Sequence, residues 1–147
     1  MSRPSDRTVE RTADRLHSAA IHLLRLLREE DVSAGVSAAR LSALSVVVFA
    51  GPVTLGSLAA AEQVRPPTIS GIVAGLENDG LVRRRGDPGD GRIVWVHATA
   101  KGRRLLMRAR QRRIDAFASR LRGLSATELA TLEGAAELIE RVIARNP

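Results

Sequence analysis

Apolar positions recur along this chain in two rhythms. From about Thr8 onward, Leu16, Ala20, Leu23 and Leu27 follow one another at steps of four, three and four, one face of an α-helix. The pattern stops near Glu30-Asp31, ahead of Ser33-Ala34-Gly35, and residues 1 to 7 before it are polar and predicted to fray. A second helix is predicted from Ala38 to Ala50, ended by Gly51-Pro52. Its Val46-Val47-Val48-Phe49 run also suits a strand, but the Ala and Leu around it favour helix. Thr54 is placed to cap a short helix, "LGSLAAAEQ". Pro66-Pro67-Thr68 then opens another, about 67 to 79, because the N–H that proline lacks has no partner in a first turn. Ile69, Ile72, Val73 and Leu76 form its apolar face, and Gly80 ends it.

After Gly80 the rhythm changes. "LVRRR" and "RIVWVHA" flank Gly86-Asp87-Pro88-Gly89-Asp90-Gly91 and read as a β-hairpin. Thr99 caps a long helix, about 100 to 121, with Met107, Ile114, Phe117 and Leu121 on one face. Ser125-x-x-Glu128 is a capping box for a last helix, where Leu129, Leu132, Ala136, Ile139 and Ile143 step by three and four. Two short helices joined by about four residues and followed by a hairpin make a winged helix-turn-helix. The predicted fold is therefore mainly α with a small β-hairpin wing, a single subunit over 1–147 with the winged lobe at 38–99. The helices at 8–31 and 100–145 carry apolar stripes that one small core cannot bury. A homodimer in which they interlock is expected, through Leu16, Leu23, Phe117, Leu121, Leu129, Leu132, Ala136, Ile139 and Ile143.

Composition narrows the function. The net charge is +7, and of 23 basic residues only Lys101 is a lysine. Arginine forks bind phosphate bidentately, so nucleic acid is a reasonable partner, although a genome-wide preference for Arg and Ala accounts for part of the bias. The absence of cysteine excludes disulfides, thiolate metal sites and a cysteine nucleophile. No apolar run approaches a membrane span and the first ten residues lack a signal-peptide core, so a cytoplasmic protein without membrane contact is expected. His17 and His22 lie five apart, poor spacing for a shared metal, so no metal and no cofactor are expected. No nucleophile elbow, P-loop or dinucleotide glycine pattern occurs, and no enzyme activity is expected.

The hairpin tip is where charge and geometry meet. Its glycines permit a tight turn that can lie on the backbone or minor groove of duplex DNA, with Arg84, Arg85 and Arg92 supplying charge. Asp87 and Asp90 look misplaced beside phosphates, and one of them is expected to hold Arg92 or a neighbouring arginine in a fixed pose. Lys101, Arg103 and Arg104 follow the wing closely enough to reach flanking phosphates.

The stretch 54–106 resembles the winged helix-turn-helix of the multiple-antibiotic-resistance regulator (MarR) family. The matching pieces are Leu58-Ala59, Thr68-Ile69-Ser70, Leu76-Glu77, Gly80-Leu81-Val82, Arg84-Arg85, Asp87-Pro88-x-Asp90-x-Arg92 and Thr99-x-Lys101-Gly102. The resemblance implies a homodimeric regulator of transcription on a near-palindromic operator, often a repressor released by a small lipophilic or phenolic ligand. It implies a recognition helix with Arg65, Pro67, Thr68, Ser70 and Gly71 at the DNA, and a ligand pocket among His22, Leu23, Leu41, Leu44, Val48 and Met107. The chain departs from the family where it has Gly71 and Ala74-Gly75 in place of longer polar residues. Each glycine costs a helix about 1 kcal/mol and removes a side chain that could read bases, so readout leans on Arg65, Thr68, Ser70 and the wing. A low-specificity architectural DNA binder, or a winged-helix protein-interaction module without effector, is the alternative.

Overall fold

The computed structural model describes residues 5–32 and 35–144, the side chains of residues 30–32 excepted. Six helices and three strands follow one another as α1 (Asp6–Val32), α2 (Ala38–Phe49), β1 (Val53–Thr54), α3 (Leu55–Ala61), α4 (Pro66–Asn78), β2 (Val82–Gly86), β3 (Val94–Ala98), α5 (Ala100–Leu121) and α6 (Ala126–Ala144). The chain divides into two compact units, residues 1–113 and 114–147, so the boundary falls within α5. Most of the predicted elements end within two residues of their expected bounds. One element was missed. β1 has only two residues, Val53 and Thr54, the second of them also the α3 cap, too few for any periodicity, yet it pairs antiparallel with β3 and makes the wing a three-stranded sheet ordered β1-β3-β2. The polar N-terminus also orders earlier than expected, with α1 beginning at Asp6.

The helix starts follow the local chemistry. Ser37 and Thr54 accept the backbone N–H of Arg40 and Ser57 at 3.4 and 3.1 Å, so each caps its helix by side chain. α4 has no side-chain cap at Arg65 and relies on its prolines instead. At the start of α6, the Ser125 N–H donates to Glu128 Oε2 at 2.8 Å while Ser125 Oγ accepts the Glu128 N–H at 3.3 Å, the reciprocal box expected there.

Two helix ends place the recognition elements. After α3, Val64 N–H donates to Ala59 O (3.0 Å) and Gln63 N–H to Ala60 O (3.1 Å), with Gln63 in the left-handed region at φ 53°. After α4, Leu81 N–H donates to Leu76 O and Gly80 N–H to Glu77 O, both at 2.8 Å, with Gly80 at φ 70°. Both are Schellman turns, and each folds an apolar residue, Val64 or Leu81, back onto the core. The core of the first unit is aliphatic throughout. Leu41, Leu44, Leu58, Ile69, Val73, Leu76, Leu81, Val82 and Val96 are 1% exposed or less, and they join α2, α3, α4 and the sheet. α6 has no buried residue.

The corner between α4 and β2 is locked by the first turn of α5. Thr99 N–H donates to Leu81 O (3.0 Å), and the Thr99 hydroxyl donates to Gly80 O (2.7 Å) while accepting the Gly102 N–H (3.0 Å). Lys101 Nζ donates to Asp79 O at 2.7 Å, at the negative end of α4. Gly102 is buried, and a Cβ there would overlap the Leu81 carbonyl oxygen. Gly71, by contrast, is exposed and has open space beside it. Denaturant melts should therefore separate the two helix glycines. Gly102→Ala is expected to destabilise by about 1–3 kcal/mol through overpacking, and Gly71→Ala to stabilise by up to about 1 kcal/mol; equal effects would contradict the corner geometry.

Candidate nucleic-acid interface

α3, the Gln63 turn and α4 form the helix-turn-helix, and β2 and β3 form the wing beside it. α4 buries Ile69, Val73, Gly75 and Leu76 and turns Pro67, Gly71 and Asn78 outward, with Thr68 exposed and Ser70 and Ala74 half-buried alongside. The outward stripe of α4 therefore carries only short side chains. Of the sequence-predicted contacts on this helix, Arg65, Pro67, Thr68 and Gly71 are exposed and Ser70 is half-covered. Gly75 needs a correction: it is buried against α2, so its missing side chain removes no base reader. A Cβ at Gly75 would instead coincide with the guanidinium of Arg40, whose Nη1 bonds Asp79 Oδ2 at 2.9 Å.

The wing is built in register: Val82↔Ala98, Arg83↔His97, Arg84↔Val96, Arg85↔Trp95 and Gly86↔Val94. Pairing across the strands puts Arg84 on the face of the buried Val82 and Val96, and Arg83, Arg85, Trp95 and His97 on the opposite face. Arg84 is held there by Glu77 of α4. Its backbone N–H donates to Glu77 Oε1 (3.0 Å) and its Nε to Oε2 (2.9 Å), so this carboxylate bolts the base of the wing to the recognition helix. On the other face Arg83, Arg85 and His97 line a shallow depression of about 310 Å³ that reaches Ala100 at the start of α5.

At the tip, the two aspartates do something other than expected. Asp87 Oδ1 accepts the backbone N–H of Gly89 (2.8 Å) and Asp90 (3.1 Å), and its Oδ2 accepts the Trp95 indole N–H (2.8 Å). Asp90 Oδ1 accepts the backbone N–H of Arg92 at 2.9 Å. Neither carboxylate pairs with a guanidinium. They fold the turn around themselves, satisfying backbone donors that a tight loop leaves without partners, and the Arg92 side chain is left outward. Asp87 neutralises no arginine and shapes the surface on which one sits.

The basic residues in and around the helix-turn-helix and wing therefore sort into two groups. Arg84, Lys101, Arg40 and, more weakly, Arg103, whose Nη1 reaches Val48 O at 3.4 Å, are engaged with other parts of the fold. Among the described residues, no hydrogen bond or ion pair engages the side chains of Arg65, Arg83, Arg85 and Arg92. Of the sequence-predicted cations, Arg84, Lys101 and Arg103 are engaged within the fold, while Arg83, which the sequence reading did not single out, is not; strand alternation from the buried Val82 is the signal that separates Arg83 and Arg85 from Arg84.

Other sequence-predicted positions scatter. Leu41 and Leu44 belong to the core and line no open cavity; Leu23 and Val48 are half-buried, and His22 and Met107 are exposed. Leu16, Leu129, Leu132, Ala136, Ile139 and Ile143 are exposed, with Phe117 and Leu121 half-buried. Among the described residues no three His, Asp or Glu side chains gather as a metal site requires, and no helix is long and apolar enough to cross a membrane.

A helix-turn-helix braced to a wing, with free arginines on both, defines a winged helix-turn-helix DNA-binding protein. Residues 36–94 match the MarR family pattern. An uncharacterized HTH-type transcriptional regulator of Mycobacterium bovis is 37% identical over 137 residues, covering 93% of this chain and 96% of that one. One of Mycobacterium leprae is 36% identical over the same span. A putative transcriptional regulator from Pseudomonas aeruginosa superposes with a TM-score of 0.82 at 27% identity, over 98% of this chain and 100% of that one. A MarR family protein from Bacillus stearothermophilus, 22% identical over 97% of this chain and 100% of its own, shares the fold at a TM-score of 0.82. The chain belongs to the MarR family of transcription regulators, and it is not an enzyme.

Asp87 gives the wing a pH signature. Its carboxyl is held below the ordinary aspartate value of 3.8, first by the Trp95 indole N–H and then by the Gly89 and Asp90 backbone N–H groups. A depressed value means that the ionised form contributes in full above about pH 3.8 and that the contribution disappears as pH falls through the lower folded value. Trp95 is the only tryptophan and the chain has no tyrosine, so the emission comes from the indole that makes this contact. The emission should stay constant from neutral pH down to about pH 4 and change below it, while Asp87→Ala should show the altered emission already at neutral pH.

Proposed function

We propose that the chain is a homodimeric, sequence-selective repressor that reads duplex DNA with α4 and the wing and is released by a small lipophilic ligand. The observation that carries the DNA-contact assignment is where four unengaged arginines fall on the winged helix-turn-helix, Arg65 at the start of α4 and Arg83, Arg85 and Arg92 on the wing. Their charges have no protein partner to satisfy, and phosphate supplies one. Arg92 leaves the tip, which suits a backbone or minor-groove contact, while α4 presents Thr68 and Gly71 to a major groove. Dimerisation is supported by the apolar side chains that α1 and α6 leave exposed, Leu16 at 46%, Leu132 at 46% and Ile143 at 71%. A second copy covers such stripes at no cost in unsatisfied polar groups, and a two-fold pair of α4 helices matches a near-palindromic site. The ligand reading rests on Leu23, Val48 and Met107, none of which is fully buried; His22 adjoins Leu23 in sequence.

The direct test is fluorescence anisotropy on the duplex upstream of the chain's own gene against a scrambled duplex, at several salt concentrations. Selective repression requires a preference of about a thousandfold or more. The short side chains of the α4 stripe favour one competing reading, a low-specificity architectural binder, which would bind both duplexes alike and lose them together as salt rises. Arg92→Ala is expected to weaken binding by about 1–3 kcal/mol and to lower the salt slope by about one unit; unchanged binding at moderate salt would remove the wing tip from the interface. Leu132→Asp combined with Ile139→Asp is expected to give a monomer by light scattering, and a dimer surviving both charges would relocate the contact surface.

A further inference from the structure

We propose that Arg40 is the positioning residue of the recognition helix, seating its guanidinium in the notch that Gly75 leaves in α4 and so fixing the pose from which α4 reads DNA. The inference rests on the DNA-binding reading above and adds a residue that touches no DNA in it. Arg40 lies in the first turn of α2, and Gly75 lies on α4 one turn before Asp79, the residue that caps it. The guanidinium occupies the volume of a Gly75 Cβ, and its Nη1 bonds Asp79 Oδ2 at 2.9 Å. As an ion pair this contact is weak, because both side chains are partly in water, 35% and 47% exposed. Its value is steric. A planar fork fills the notch flat against the helix backbone, a fit that a compact ammonium does not reproduce and that a Cβ at Gly75 would displace.

α4 has particular need of such a wedge. Its outward stripe is Pro67, Gly71, Ala74 and Asn78, short side chains that cannot extend to follow a groove if the helix tilts. Contacts made by backbone and short side chains demand that the helix axis sit within a narrow range of distance and angle, so selectivity depends on the pose more than on reach. The α4–β2 corner fixes one end of α4 through Thr99 and Lys101, and Glu77 ties the helix to the wing. Arg40 supplies the remaining restraint, from the side of α2. It also explains a glycine in the middle of a helix, where alanine is otherwise favoured.

The test uses the full chain with Arg40→Ala, Arg40→Lys, Gly75→Ala and the double variant Arg40→Ala/Gly75→Ala. Anisotropy is read on the upstream and scrambled duplexes, and thermal melts are taken without DNA. R40K and G75A keep the net charge, so their affinity for scrambled duplex should stay within about twofold. Their preference for the upstream duplex should fall about tenfold. An unchanged preference in both, with the wild-type chain selective, overturns the inference and leaves the DNA reading standing. A wild-type chain without preference sinks operator reading, and the melts then decide the wedge alone. Gly75→Ala should lower the melting temperature in the wild-type background and raise it once Arg40 is alanine, a change of sign that additive, independent sites cannot give. Additive shifts overturn the wedge.

Discussion

The recognition surface depends on one close approach, that of the α5 backbone at Gly102 to the carbonyl of Leu81. Around that contact the Thr99 hydroxyl, the Thr99 N–H and the Lys101 ammonium engage three successive carbonyls, Asp79, Gly80 and Leu81, at the end of α4. These carbonyls lie just past the last turn of α4, where intrahelical donors run out, and all three are met by Thr99 and Lys101 at the start of α5. The consequence reaches both ways along the chain. Fixing residues 79–81 fixes the exit direction of α4 and the entry of β2, and Glu77 then carries the restraint one turn back along α4 to Arg84 on the wing. α4 and the wing are thus braced together through one corner.

Charge in this protein is divided by role rather than by location. A cation on a DNA-binding domain suggests a phosphate contact, but Arg40, Arg84, Lys101 and Arg103 sit within or beside the reading elements and are engaged internally. Those contacts use the directional geometry of guanidinium and ammonium donors, as bolts between elements. Within the winged lobe, the cations left over are carried by the start of α4 and by the outer face and tip of the wing; others, Arg104 and Arg108 among them, lie exposed along α5. Acidic residues follow the same division. Glu77 and Asp79 brace side chains from other elements, while Asp87 and Asp90 hold the turn's own backbone.

Much of this architecture was legible in the sequence because it is written in local rules. Ser37, Thr54, Thr99 and the Ser125–Glu128 box announce helix starts, Gly80 announces a stop, and the glycine-aspartate turn announces a hairpin. What the sequence concealed was pairing over distance. β1 exists only because Val53 and Thr54 find Val96 and Trp95 some forty residues later, and two residues carry no period. Gly75 looked like a missing base reader because its partner, Arg40, lies on another helix. The wing aspartates looked like anchors for arginine side chains because composition cannot distinguish a carboxylate aimed at a guanidinium from one aimed at its own backbone. The division between braced and free arginines needed the strand register, which follows from which of Val82 and Arg83 faces the core.

The lone lysine has a consequence of its own. A chain with 23 basic residues offers a single side-chain amine, and Lys101 has that amine bonded to the carbonyl at the end of α4. Acylation or alkylation chemistry directed at lysine, which on most basic proteins is diluted over many surface positions, converges here on one atom of the corner. Neutralising it would remove the charge that caps the helix while leaving every guanidinium untouched.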